Sequence, residues 1–210
     1  MPLSIEPIMS NKRFSFYVLA VALAASLMGA WAPAQAVISD DEIRVGLMVD
    51  MNSIYSHITG QGSVVAAQMA IEDVGGKVAG KPIRLIHADH ANSVERAREL
   101  AQDWLYAQGV DVIADVASSP LALAVQEVNR KRGAVVFYNG VMSSEITGAK
   151  CAPTGIHWMY DGYAYNTVIG RELTRAGGRK WFFVTVDNAF GINVEASLAA
   201  IVRTAGGEVV

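Results

Sequence analysis

The 210-residue sequence contains a single cysteine, Cys151, which excludes an internal disulfide. We expect this cysteine to be buried rather than paired with another molecule. Basic residues are also few, since 17 Lys and Arg stand against 20 Asp and Glu, a formal net charge of −3. A basic patch is the electrostatic mark of nucleic-acid binding, so we expect no nucleic-acid partner.

Motifs of several common enzyme classes are missing as well. The sequence has no G-x-S-x-G, no P-loop and no H-E-x-x-H. The pair Gly60 and Gly62 lacks the third glycine of a dinucleotide fingerprint and lies about ten residues beyond the preceding strand. His87, Asp89 and His90 could contribute to a metal site, but a polar strand end is the simpler interpretation because no further ligand is paired with them. We therefore expect no catalytic residue, cofactor or metal.

The first 36 residues have the three parts of a secretory signal peptide. Lys12 and Arg13 precede an apolar run at 14–30, and the segment ends with A-Q-A at Ala36. We expect cleavage after Ala36 and export to the periplasm, and Met9 gives a better start to the basic region than Met1. An uncleaved membrane anchor is the alternative, but the apolar run is short for a membrane span and the A-x-A site favours cleavage.

The remaining sequence alternates between apolar strands and amphipathic helices. Strands are predicted at 43–49, 83–88, 110–116, 134–138, 156–159, 181–186 and 208–210. Helices are predicted at 64–74, 94–105, 119–132, 163–176 and 189–205, most of them followed by glycine. This order predicts an α/β fold in which helices cover both faces of a parallel sheet. Ligands of such sheets bind beyond the carboxyl ends of the strands.

One strand end, within 112–128, combines an apolar strand, two serines and the start of a helix. Ser118 or Ser119 is a suitable N-cap, and Pro120 suits the first helical turn. The apolar residues that follow have the spacing of one buried helix face: Leu121, Ala124, Val125 and Val128. Hydroxyls and free N–H groups at a helix N-terminus can hold a carboxylate without a cationic side chain. The alternative is that the serines only cap the helix, which is their usual role.

Six segments occur in a fixed order along the chain from Ile43 onward. They read I-R-V-G-L-M-V-D-M, A-A-Q-M-A-I-E-D-V-G-G, A-D-H-A-N, V-I-A-D-V-A-S-S-P, N-G-V-M-S-S-E-I-T-G and F-F-V-T-V-D-N-A-F-G. Together they resemble the periplasmic solute-binding proteins of ABC importers, of the branched-chain amino acid (leucine, isoleucine and valine) binding type. The motifs S-S-P-L-A-L-A-V-Q-E and H-W-M-Y-D are similar to those of a divergent branch of that family.

The resemblance implies a type I periplasmic-binding-protein fold, in which two α/β lobes close on a ligand. It divides the chain into a signal peptide at 1–36, an N-terminal ligand-binding lobe at 37–160 and the start of a second lobe at 161–210. Because the family's second lobe is longer, we expect a complete first lobe and a partial second lobe, from a truncated gene or a partial record. It also implies no enzymatic activity, no cofactor, an inner-membrane permease as partner, and a monomer when complete.

The resemblance further implies a set of ligand-binding residues. In the family, the serine turn and the loop after the fourth strand hold the ligand carboxylate, and aromatic residues cover the ligand. The corresponding residues here are Tyr55, Ser118, Ser119, Gly140, Val141, Met142, Asp187 and Phe190. The family commonly has Thr at the position of Met142. The loss of that hydroxyl in this sequence favours an apolar or aromatic ligand. The disulfide of many members is absent because Ala91 and Ala117 occupy its positions.

We therefore expect the chain to capture a small solute: an amino acid, or a small carboxylate or amide, aromatic ones included. Two other functions stay open. A ligand-sensing receptor or regulator domain can have the same fold, although a cytoplasmic regulator would lack the export segment at 1–36. An exported α/β enzyme would need a nucleophile, and Ser118 lacks the glycine flanks of a strained nucleophile elbow.

Overall fold

The computed structural model describes residue 38 and residues 40–210. The predicted signal peptide and its cleavage site lie outside the described residues. Within the described part of the chain, no helix has the length and apolarity that a bilayer span requires.

Strands and helices alternate along the described chain. In order they are β1 Ile43–Val49, α1 Gln61–Asp73, β2 Lys77–Val78, β3 Lys81–Asp89, α2 Val94–Tyr106, β4 Val112–Ala114, α3 Ser119–Asn129, β5 Val135–Tyr138, β6 Gly155–His157, α4 Gly162–Arg175, β7 Lys180–Trp181, α5 Ala189–Thr204 and β8 Glu208–Val209. Six strands form one sheet in the order β2-β3-β1-β4-β5-β6, and β7 pairs with β8 in a second sheet. Every pair is parallel except β2–β3, which confirms the predicted α/β class.

The central strand β1 is buried on both faces of the sheet. Its side chains alternate, so that Met48 packs into the core beneath α2 and α3, whereas Leu47 and Val49 pack against Val64 of α1. On the α2 side, Trp104 lies against the backbone of Gly46. The predicted apolar face of α3 is buried in the same core. Helices therefore cover both faces of the sheet, as the sequence predicts.

Helices α4 and α5 pack against each other beside the main sheet. Their close approach depends on Gly170, where an added Cβ would lie 2.8 Å from Leu198 and 2.9 Å from Ile201. The Asn193 amide of α5 accepts a hydrogen bond from the Ser144 N–H, in the loop that follows β5. This contact brings the α4–α5 pair to the edge where the main-sheet strands end.

Several sequence predictions are wrong in detail, and three of them concern a helix end, a strand and the cysteine. The predicted helix face at 64–74 includes Val74, which follows the end of α1 and is 55% exposed. The predicted strand at 181–186 shortens to Lys180–Trp181, because a strand reaches only as far as its ladder partner and β8 pairs with those two residues alone. Cys151 is exposed rather than buried, because it lies in the surface loop between β5 and β6.

Candidate ligand-binding site

A cavity of about 370 Å³ lies where β1, β4 and β5 end and where α3 and α5 begin. This is the edge at which the ligands of parallel sheets bind. The cavity is lined by Tyr55, Ile58, Thr59, Asp115, Ala117, Ser118, Ser119, Pro120, Asn139, Gly140, Met142, Met159, Tyr160, Asn188 and Phe190. The structure thus brings together six of the eight residues that the sequence predicts for the site.

The serine turn presents two buried hydroxyls to this cavity. Ser118 is the N-cap residue of α3, yet its side chain makes no capping hydrogen bond, and it is only 7% exposed. Ser119 is 4% exposed. The first N–H groups of a helix have no partner within the helix, so those of Ser119 and Leu121 are free in the first turn of α3, and Pro120 has none. The turn therefore offers hydroxyl and N–H donors that the helix does not use.

The loop after β5 is held close to the serine turn by its glycine. A Cβ on Gly140 would lie 3.2 Å from both the Cα and the Cβ of Ala117, so the small residue permits this approach. The carbonyl of Met142 accepts a hydrogen bond from the Gly162 N–H at 2.9 Å, which fixes the loop to the start of α4. Met142 lines the cavity as a result.

Val141 is fully buried and does not line the cavity, although the sequence includes it among the site residues. Its carbonyl hydrogen-bonds Nε2 of His157 in β6. Asp187 is also outside the cavity lining, and its side chain is exposed. Phe190 does reach the cavity, because the neighbouring Asn188 caps α5 and accepts a hydrogen bond from the Phe190 N–H at 2.9 Å.

The loop that carries Tyr55 is held by the carboxylate of Asp50, which is fully buried at the end of β1. This carboxylate accepts hydrogen bonds from the N–H groups of Asn52, Ser53 and Tyr55 and from the Ser53 hydroxyl. Asp89, at the end of β3, accepts hydrogen bonds from the Met51 N–H and the Asn52 amide. The two carboxylates together position the segment that places Tyr55 over the cavity.

Burial by itself would raise the pKa of Asp50, but the hydrogen bonds from Ser53, Tyr55 and Asn52 outweigh it and leave the pKa lowered. The pKa of Asp89 is lowered in the same way: burial opposes the shift, and hydrogen bonds from Ala91, Met51 and Asn52 produce it. A lowered folded-state pKa contributes stability above the ordinary aspartate pKa. That contribution is lost as the pH falls through the folded-state value.

We expect Asp50→Asn to destabilise the protein by about 1–3 kcal/mol at neutral pH, since an amide cannot accept all of these bonds. The variant should also lose less stability than the wild type as the pH is lowered below about 4, because one low-pKa carboxylate is gone. Denaturant unfolding at several pH values measures both effects. Asp73→Asn is the matched control, since Asp73 is exposed at the end of α1 and should leave both quantities unchanged. Equal acid sensitivity of Asp50→Asn and the wild type would contradict the role given to Asp50.

Sequence reasoning missed several residues of the lining, of which Asp115 is the most informative. The pattern V-I-A-D-V predicts a strand through residue 116, so Asp115 was expected to lie within the sheet. The strand in fact ends at Ala114, and Asp115 adopts a positive φ of 62° that turns the chain toward the serines. Thr59 and Asn139 lie in loops that the sequence does assign to the ligand-binding edge, without being singled out there.

The cavity lining contains one charged side chain, Asp115, and no Lys, Arg or His. An anionic ligand would therefore depend on neutral donors at the start of α3. His90 is fully buried close by; burial lowers its pKa, and Asp50, Asp89 and Asp115 act in the opposite direction. Among the described residues, no group of three or more acidic, histidine or cysteine side chains is arranged to hold a metal ion.

A model of the periplasmic binding protein family matches residues 42–210, which is most of the chain. The chain belongs to this family. The type I periplasmic-binding-protein fold predicted from the sequence is thereby confirmed, and the family is one of solute-binding proteins rather than enzymes. The name of the family also implies a location outside the cytoplasm.

Solved structures of other periplasmic binding proteins are similar to this one. A protein from Burkholderia mallei is 35% identical, with a TM-score of 0.77, and the match covers 80% of this chain and 45% of that chain. A branched-chain amino acid ABC transporter periplasmic ligand-binding protein from Burkholderia xenovorans is 32% identical, with a TM-score of 0.70 and the same coverage. A solute-binding protein of an ABC transporter from Rhodopseudomonas palustris, in complex with 3,4-dihydroxybenzoic acid, is 26% identical, with a TM-score of 0.71 over 81% of this chain and 46% of that chain.

This periplasmic binding protein thus spans slightly less than half the length of the solved structures it matches. No curated protein sequence matches the chain.

Proposed function

We propose that this periplasmic binding protein is the extracytoplasmic substrate-binding component of an ABC importer, and that it captures a small aromatic carboxylate. The observation that carries the proposal is the serine turn. Ser118 and Ser119 are nearly buried, line the cavity at the positive end of α3, and are not used to cap that helix. A carboxylate is one of the anionic groups that bind to neutral donors at a helix N-terminus.

The rest of the cavity favours an aromatic ring on the ligand. Rings and thioethers form much of its lining: Tyr55, Met142, Met159, Tyr160 and Phe190. Aromatic side chains pack edge-on or offset against another ring, and methionine adapts to its shape. The Rhodopseudomonas palustris relative, which is in complex with 3,4-dihydroxybenzoic acid, supports the same class of ligand.

In this proposal the ligand lies between the lobe at 37–160 and the start of a second lobe at 161–210. The first supplies the serine turn and the Tyr55 loop, and the second supplies Asn188 and Phe190. Ligand contacts made from both lobes favour the closed state over the open state, and the closed protein docks on an inner-membrane permease. The export segment at 1–36 delivers the protein to the periplasm.

Isothermal titration calorimetry on the 210-residue protein tests the proposal. We expect benzoate or a ring-substituted benzoate to bind more tightly than leucine. Benzyl alcohol has the ring but not the carboxylate, so it should bind much more weakly than benzoate. Recovery of the bound acid unchanged after prolonged incubation would agree with a receptor and not an enzyme. Equal affinity for benzyl alcohol and the aromatic acids, or binding of leucine alone, would contradict the proposed ligand class.

A further inference from the structure

Asp115 is a charged group in the cavity with only part of its hydrogen-bonding capacity used. Its Oδ2 accepts a hydrogen bond from the Thr59 hydroxyl at 2.6 Å. Among the described residues, no group donates a hydrogen bond to its Oδ1. The side chain is half-buried and lines the cavity together with Thr59 and Asn139.

No side chain in the cavity lining neutralises this carboxylate, because Lys, Arg and His are absent from it. A ligand that placed a ring C–H against Oδ1 would remove water from an ionised oxygen and give it no replacement donor. Burial of a charged group without a hydrogen bond is costly. A ligand that carries a donor at that point avoids the cost and gains a charge-assisted hydrogen bond.

We propose that Asp115 is a specificity-determining residue whose Oδ1 accepts a hydrogen bond from a hydroxyl on the ligand ring. The ligand class is then a hydroxylated aromatic monocarboxylate, bound through its carboxylate at Ser118 and Ser119 and through its ring hydroxyl at Asp115. This inference rests on the proposed function and narrows it. A second carboxylate on the ring is excluded, because it would meet the negative charge of Asp115.

A hydroxyl suits this position better than an ammonium group. The charge of an ammonium would be attracted by Asp115, but an ammonium carries three donors that each need an acceptor. Among the described residues, one oxygen of the Asp115 carboxylate has no donor, since only Oδ2 accepts from Thr59, and the Asn139 Oδ1 accepts from the Asp115 N–H at 3.5 Å. A ring hydroxyl needs a single acceptor, which Oδ1 supplies.

The wild-type part of the test needs no variant. The 210-residue protein is titrated with benzoate, 3-hydroxybenzoate and 4-hydroxybenzoate, which scan two positions of the hydroxyl. At least one hydroxy acid should bind about 10- to 100-fold more tightly than benzoate, the range that a hydrogen bond to a charged group supports. If benzoate binds as tightly as both hydroxy acids, the inference is wrong and the proposed function stands. If no aromatic acid binds, both are wrong.

Two variants then assign the preference to Asp115. Asp115→Asn keeps an acceptor for Thr59 and tolerates the positive φ of this residue, but it removes the charge. Asp115→Gly tolerates the same φ and removes the acceptor altogether. The preference for the hydroxy acid should fall to a few-fold in the first variant and vanish in the second. Asp73→Asn is the control: it makes the same chemical change at an exposed residue, and it should keep the full preference for the hydroxy acid. An unchanged preference in both Asp115 variants would overturn the assignment.

Discussion

Replacement of Ser118 and Ser119 together by alanine is expected to reduce the affinity for an aromatic carboxylate by about 100-fold or more. Each hydroxyl that donates to an anion contributes about 1.5–3 kcal/mol, and every 1.36 kcal/mol is a factor of ten. The variant should stay folded, because the Ser118 side chain does not cap α3. Calorimetric titration with the tightest-binding aromatic acid measures the loss, and thermal unfolding measures stability.

Ser93→Ala is a control with the opposite expectation. Ser93 caps α2, its hydroxyl oxygen accepts a hydrogen bond from the Arg96 N–H at 3.2 Å, and it is not among the residues that line the cavity. Loss of such a cap costs about 1 kcal/mol of stability and should leave ligand affinity unchanged. The two variants thus separate a binding serine from a capping serine. Unaltered affinity in Ser118→Ala/Ser119→Ala, with a loss of stability like that of Ser93→Ala, would show that the serine turn only caps its helix.

The second large effect is expected from Gly60→Ala, at the end of the loop that carries Tyr55. Gly60 has φ 92° and ψ −138°, a conformation open to glycine but strained for residues with a Cβ. An added Cβ would also lie 2.5 Å from the carbonyl oxygen of Asp50 and 3.0 Å from that of Ser56. Backbone atoms cannot turn aside as a flexible side chain can, so the loop must move.

We expect Gly60→Ala to destabilise the protein by about 2–4 kcal/mol, the strain of this backbone conformation plus the steric overlap. Ligand affinity should fall as well, because the displaced loop carries Tyr55 and Thr59 away from the cavity. Gly62→Ala is a close control two residues further on. Nothing lies within 4 Å of its added Cβ, and an alanine inside α1 should stabilise the protein by up to about 1 kcal/mol. Equal stability of the two variants, measured by denaturant unfolding, would contradict the strained geometry at Gly60.

The sequence predicts the order of the larger elements well because local patterns determine it. Strand β1 has the predicted bounds, α2 and α3 begin at the predicted residues, and glycines with positive φ follow α1, α2 and α3. The two-residue strand β2, which pairs with β3 across Gly80, was not predicted, since so short a strand has no periodicity to detect, whereas β3 contains the strand predicted at 83–88. The extent of a strand such as 181–186 depends on its partner rather than on its own apolarity.

The site was predictable where it depends on a strand end followed by a helix start, and less so elsewhere. Ser118 and Ser119 belong to such a signal and line the cavity, whereas Gly140, which also lines it, was named only from the family resemblance. Val141 lies in the predicted loop, but which way its side chain points depends on tertiary contacts that the sequence does not reveal. Asp115 was missed because a single polar residue between Ala114 and Val116 has the appearance of a continuing strand. Whether each lining residue contacts a ligand remains a prediction.

A crystal structure of the 210-residue protein with 4-hydroxybenzoate would test the central claim most directly. We predict that the ligand carboxylate lies within hydrogen-bond distance of the hydroxyls of Ser118 and Ser119 or of the first N–H groups of α3, with its ring against Tyr55 or Phe190. A carboxylate directed away from α3, or a ligand bound outside this cavity, such as in the groove between α2 and α3 beside Arg98 and Glu127, would contradict the claim.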